Sequence, residues 1–144
     1  MEESIVRANI QVGCITARWE DAIRVAAKPL VERGSISEGY IGRMVDSVNN
    51  LGPYIVIMPG FALAHAAPGD DVCASDLSLA KFIEPIDFGS DKGPVSIVMC
   101  LACTDRQAHI SRLSKIAERL LDETILERML ACEDADELYA LING

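Results

Sequence analysis

The chain has 144 residues, half of them hydrophobic, with 13 basic and 22 acidic side chains for a formal charge of −9. That length and composition suit one hydrophobic core, so a single domain over residues 1–144 is expected and disorder is excluded. The acidic balance argues against a nucleic-acid partner, which needs clustered Lys and Arg, and no apolar stretch approaches the roughly 20 residues of a bilayer helix.

A short strand is expected over 10–15. Residues 19–33 read as a helix, because Trp19, Ala22, Ile23, Ala26, Ala27, Leu30 and Val31 share one face and Gly34 stands where a helix ends. Pro29 is an awkward fit inside it, since proline removes a backbone hydrogen bond. A second helix starts after Ser37 and buries Tyr40, Ile41, Met44, Val45 and Val48 before Asn49, Asn50, Leu51 and Gly52 end it. The apolar runs 54–58 and 95–102 read as strands buried on both faces, with a further strand over 77–83 and a turn-rich stretch over 87–94.

The last third is helical in pattern. Thr104 and Gln107 have capping-box spacing and open a helix running to about residue 121, with Ile110, Leu113, Ile116, Ala117 and Leu120 on its apolar face. Shorter helices follow over 124–131 and 135–142. Helices before, strands amid and helices after predict an α/β fold, a single mixed β-sheet flanked by helices on both faces.

Five cysteines, with no basic and apolar leader at residues 1–4, fit reduced thiols in a cytoplasm. Cys100 and Cys103 form a CxxC, but on a strand positions i and i+3 face opposite ways, so the sulfurs should diverge into the core. No second CxxC completes a zinc site. A thiol- or metal-binding protein using Cys100, Cys103 and His109 is the competing reading from another class.

The two histidines draw the chemistry. His65 lies in the segment Pro59-Gly60-Phe61-Ala62-Leu63-Ala64-His65-Ala66-Ala67-Pro68-Gly69, read as a loop after the strand 54–58, with no serine, cysteine or acid beside it in a catalytic arrangement. It is either a half-buried histidine bonded to backbone or a nucleophile that carries a phosphoryl group. His109 follows the strand 95–102 on the helix that begins at Thr104. If the strands preceding the two histidines are parallel, both lie at carboxyl ends, where open α/β sheets bind ligands. The helix amides would favour an anion there. An imidazole titrates near neutrality and can serve as nucleophile or donor. Two unrelated structural histidines remain the alternative. Phe61, Leu63 and residues 66–68 are expected to rim the site, and Asp70 and Asp71 to be solvated turn residues.

The segment from Pro59 to Ala66 resembles the active-site segment of the enzyme IIA components of the bacterial phosphoenolpyruvate-dependent sugar phosphotransferase system, mannitol/fructose type. The likeness continues through Glu84-Pro85-Ile86-Asp87-Phe88-Gly89, Gly93-Pro94-Val95 and the stretch from His109 to Ala117. Gly52-Pro53-Tyr54-Ile55-Val56-Ile57-Met58-Pro59-Gly60 looks most like the ascorbate-specific branch. The resemblance implies a mannitol-type enzyme IIA fold and a cytoplasmic phosphotransferase without cofactor or metal. It further implies that His65 accepts phosphate from phospho-HPr and passes it to a cognate enzyme IIB that works with a membrane enzyme IIC, with His109 stabilising the phosphate. A nitrogen-type regulatory paralogue, signalling through protein binding, is the alternative within the family. Two departures stand out: Ala64 occupies a position where the family usually has proline, and Ala67 one where it often has arginine.

Overall fold

The computed structural model describes residues 5–107, 111, 114, 118 and 123–143. Five strands form one sheet in the order β1-β4-β5-β3-β2, where β1 is Ile10–Cys14, β2 Val56–Met58, β3 Gly60–His65, β4 Asp76–Ile86 and β5 Val95–Ala102. The sheet is mixed: β1 runs parallel to β4 and β3 parallel to β5, while the pairs β4–β5 and β2–β3 are antiparallel. Helices α1 (Trp19–Glu32) and α2 (Glu38–Leu51) pack into one hydrophobic cluster with the sheet, and α3 (Glu123–Ala131) and α4 (Ala135–Asn143) into a second. The expected architecture is therefore the observed one.

Strand alternation divides the sheet's side chains between the two clusters. Ala62, Ala64, Ser78, Ala80, Val98, Cys100 and Ala102 lie on the side of α1 and α2, and Phe61, Leu63, Leu77, Leu79, Ile97, Met99 and Leu101 on the other. Small residues on the first side meet Ala22, Ala26 and Ala27 of α1, all fully buried, so helix and sheet approach closely. Side chains of the sheet reach α1's carbonyls across that contact: the Ser78 hydroxyl donates to the Ala26 carbonyl at 2.5 Å, and the Gln11 amide to the Val25 carbonyl at 2.6 Å. The second bond explains how the helix tolerates Pro29. Proline has no N–H for the carbonyl four residues back, which is that of Val25, and Gln11 supplies the missing donor.

Two expectations about strands need correction. The run 54–58 is not a strand buried on both faces: only Val56–Met58 is extended, at the sheet edge, with Tyr54 and Ile57 exposed. The Lys92 ammonium donates to the Val56 and Ile57 carbonyls and so covers that open edge. The segment read as a loop is instead β3, a central strand, entered through Gly60 at φ +89°, a conformation that side chains disfavour. The turn at Pro59-Gly60 separates the two antiparallel strands. Of the helix expected from Thr104, residues 106, 107, 111, 114 and 118 are helical, with Ser111, Ser114 and Glu118 exposed on one polar face. The rest of it lies outside the described residues.

Candidate active site

His65 is the last residue of β3, directly paired with Leu101 near the end of the parallel strand β5. Both strands end here at their carboxyl ends, so His65 does lie at a carboxyl edge of the sheet, but through β3; the run 54–58, expected parallel to 95–102, runs the opposite way. By alternation His65 shares the face of Phe61 and Leu63, at a point where the buried strand gives way to a partly exposed residue.

Its ring is oriented by its own strand. Nδ1 lies 2.9 Å from the Leu63 carbonyl oxygen. A carbonyl can only accept, so Nδ1 carries the proton and, in the neutral ring, the lone pair sits on Nε2. Tyr54 flanks the imidazole edge-on, with ring centroids 5.6 Å apart and planes at 89°, and its hydroxyl lies 3.4 Å from the His65 carbonyl. Tyr54 also forms one wall of a cleft of about 430 Å³ together with Leu51, Pro53, Val56 and residues 89–92.

The chain beyond His65 is tied to α2. The Tyr40 hydroxyl accepts the Ala66 N–H at 3.0 Å and donates to the Leu101 carbonyl at 2.7 Å. Burial pushes the Tyr40 phenol up to about 12 and so keeps it protonated. The Arg43 guanidinium sits 5.1 Å from the centroid of the Tyr40 ring and forms a two-pronged ion pair with Asp71 at 2.7 and 2.6 Å. Hydrogen bonding to Arg43 holds the Asp71 carboxyl below its ordinary range.

Several expected roles change. Phe61 and Leu63 do not rim the site, because they are buried in the core as strand residues must be, and Ala66 is buried as well. Ala67 is exposed, and Tyr54 supplies the aromatic surface. Asp71 is no solvated turn residue, since its carboxylate anchors Arg43. Tyr40 reads correctly as core in the sequence, but nothing there signals that its hydroxyl reaches the chain beside His65 or that Arg43 packs on its ring. His109 lies outside the described residues.

Cys100 and Cys103 do fall into opposite clusters, on either side of the sheet, as the strand parity requires. Burial raises the Cys100 thiol to about 12, which leaves it inert. Among the described residues no group of three His, Cys, Asp or Glu side chains is placed to hold a metal, and no helix is long and apolar enough to cross a membrane.

Comparison with known proteins adds the chemistry of the family. Residues 4–144 match the family described as phosphoenolpyruvate-dependent sugar phosphotransferase system, EIIA 2. The ascorbate-specific EIIA component of Salmonella typhimurium is 31% identical, covering 99% of this chain and 95% of that one. Among solved structures, the mannitol-specific cryptic phosphotransferase enzyme IIA of Escherichia coli superposes with a TM-score of 0.89 at 28% identity, covering 97% and 95% of the two chains. The enzyme IIA of the E. coli mannitol system, solved in complex with its phosphorylated enzyme IIB, superposes at 0.83 with 25% identity, covering 96% of each. With a resemblance that runs the length of the chain and the same fold beneath it, this protein belongs to the EIIA type 2 family of the sugar phosphotransferase system and is a phosphotransferase.

Proposed function

We propose that the protein is a phosphohistidine carrier, taking a phosphoryl group from phospho-HPr onto Nε2 of His65 and delivering it to a cognate enzyme IIB for sugar uptake. The observation that carries this reading is the bond from His65 Nδ1 to the Leu63 carbonyl. It sets the tautomer that leaves the nucleophilic lone pair on Nε2 and holds the ring still for an in-line attack. As the new N–P bond forms and the donor's N–P bond breaks, the imidazole gains positive character. The Leu63 carbonyl, bonded to the retained Nδ1 proton, stabilises that charge. Delivery to enzyme IIB reverses these events. The relative solved with a phosphorylated enzyme IIB supports that class of acceptor.

His109 is proposed as a donor to the phosphoryl oxygens. It follows Leu101, the residue paired with His65, by eight positions in the chain. The ascorbate-specific relative, alike over nearly the whole length, supports ascorbate or a similar small acidic sugar as the transported substrate. The formal charge of −9 suits encounter with partners that present a basic face. The cytoplasm, where such partners load and unload phosphate, is the proposed compartment.

Reconstituted transfer tests this. Phosphorylated protein mixed with candidate enzyme IIB should lose its label to the ascorbate-type partner. The His109→Ala protein should fold normally and load slowly, and it should deliver about tenfold more slowly or worse, a loss of about 1.4 kcal/mol in transition-state stabilisation. Transfer at wild-type rate would remove His109 from the site. Transfer to no enzyme IIB would favour signalling over transport.

A further inference from the structure

Tyr40 is completely buried on the inward face of α2, but its hydroxyl has a specific address. Ala66 follows His65 in the chain, and Leu101 is the residue paired with it. The parallel ladder ends at this point, and the Ala66 N–H and Leu101 carbonyl would otherwise face the core without partners. One phenol oxygen serves both, accepting from Ala66 and donating to Leu101. The Ala66 carbonyl also lies 3.1 Å from that oxygen.

The phenol ring is itself held. Arg43 stacks against it and is locked by Asp71, and Gly69 leaves the room for this, since a Cβ at residue 69 would sit 2.8 Å from the Arg43 guanidinium. The brace runs from α2 through Tyr40 to the two backbone positions that bracket His65.

We propose that Tyr40 is a positioning residue for His65, its hydroxyl bridge fixing the strand end so that the imidazole keeps its Nδ1 bond to Leu63 and presents Nε2. The proposal rests on the phosphohistidine-carrier reading. It assigns to a buried tyrosine the task of keeping the nucleophile's tautomer and direction constant, where a purely structural tyrosine would affect stability alone.

The test is Tyr40→Phe, which retains the ring and its Arg43 contact and removes only the oxygen. Three quantities are compared with wild type: ¹⁵N shifts of the His65 ring nitrogens, the single-turnover rate of phosphorylation by phospho-HPr, and the melting temperature. Leu138→Ala, a core truncation in α4 in the cluster on the sheet face away from Tyr40, serves as the control for stability loss. The expected result is a wild-type ring dominated by the Nδ1–H tautomer and a mixed tautomer in Tyr40→Phe. Its phosphorylation should be about ten- to a hundredfold slower, since small misplacements of reacting groups cost rates of that order. The KM for the donor should change by less than about threefold, as expected when an interaction with the transition state alone is weakened. Leu138→Ala should melt lower and keep the wild-type rate and tautomer.

A wild-type tautomer and rate in Tyr40→Phe, or a rate loss no larger than that of Leu138→Ala, overturns the proposal. If Tyr40→Phe does not fold, Ala66→Pro deletes the bridged N–H while leaving the tyrosine in place, and the same loss of tautomer and rate is required of it. Absence of labelling on wild-type His65 would refute the carrier reading, and the ring-nitrogen comparison would still decide whether Tyr40 sets the imidazole.

Discussion

The two faces of the sheet solve the same packing problem with opposite materials. Toward α1 and α2 the middle of the sheet presents Ala62, Ala64, Ser78, Ala80, Cys100 and Ala102 against a helix that is itself lined with alanine, with the larger Phe82, Ile86, Val95 and Val98 packed around them. Toward α3 and α4 the strands present Phe61, Leu63, Leu77, Leu79, Ile97, Met99 and Leu101. The small face brings backbones close enough for side chains to reach helix carbonyls, as Ser78 and Gln11 do. It derives its definition from hydrogen bonds and fit. The large face derives its stability from buried area. His65 stands at the carboxyl end of the large face, while the brace behind it comes from the small face through Tyr40. His65 is thus braced from the close-packed side of the sheet and stands on the other.

Truncating the large face should have the greatest effect. Phe61 is fully buried in the central strand β3, and Phe61→Ala should cost about 3–5 kcal/mol in urea denaturation, as loss of a large core aromatic does. A cost below about 1 kcal/mol would mean that this face is loosely packed, and the contrast would fail. Enlarging the small face is the complementary test. Ala80→Leu places extra volume between β4 and α1, where Ala80 is fully buried, and should destabilise by about 1–3 kcal/mol through overpacking. A neutral or stabilising result would reveal unused space on the small face.

These contrasts also show what the sequence could and could not convey. The helices 19–33 and 37–52 were legible because their apolar residues recur at helical spacing and Ser37 and Gly34 stand at their ends. The divergence of Cys100 and Cys103 followed from strand parity alone. The strand β3 was hidden, because Gly60, Ala62 and Ala64 carry no strand preference and Pro59 and Pro68 flank it like loop punctuation. A central strand on a small-residue face needs no such preference, since its neighbours and the close helix dictate its conformation. Conversely, the run 54–58 is apolar yet forms only a short edge strand, with Ile55 and Val56 buried in the core and Tyr54 and Ile57 exposed, a split that an unbroken apolar run does not reveal. His65 was legible as a candidate, one of two histidines in the chain and in a segment with no other reactive group beside it. The bond from His65 to the Leu63 carbonyl depends on this segment being a strand and not a loop, and Tyr40 and the pair Arg43–Asp71 act through contacts across more than twenty residues of chain, which periodicity does not encode.

A smaller effect sharpens the comparison at the brace. The Asp71 carboxyl is held below its ordinary range chiefly by its hydrogen bonds to Arg43. A depressed folded-state carboxylate contributes stability above its unfolded pKa of about 4 and loses it as pH falls through the folded value. Melts recorded from pH 7 downward should therefore show a constant contribution from the pair to about pH 4 and its loss below that. In Asp71→Asn this part of the pH dependence should be absent, with a cost at neutral pH of about 0.2–1 kcal/mol, as for a partly exposed ion pair. Parallel pH profiles for the two proteins would mean that the pair contributes nothing to stability.

The claim on which the rest depends is that His65 carries the phosphoryl group, and direct labelling addresses it. Wild-type protein incubated with phosphoenolpyruvate, enzyme I and HPr, then digested and analysed by mass spectrometry under alkaline conditions, should carry one acid-labile, alkali-stable phosphate on the peptide containing His65. The His65→Ala protein, folded as judged by its melt, should carry none. Equal labelling of His65→Ala, or a phosphate located on another peptide, would contradict the account.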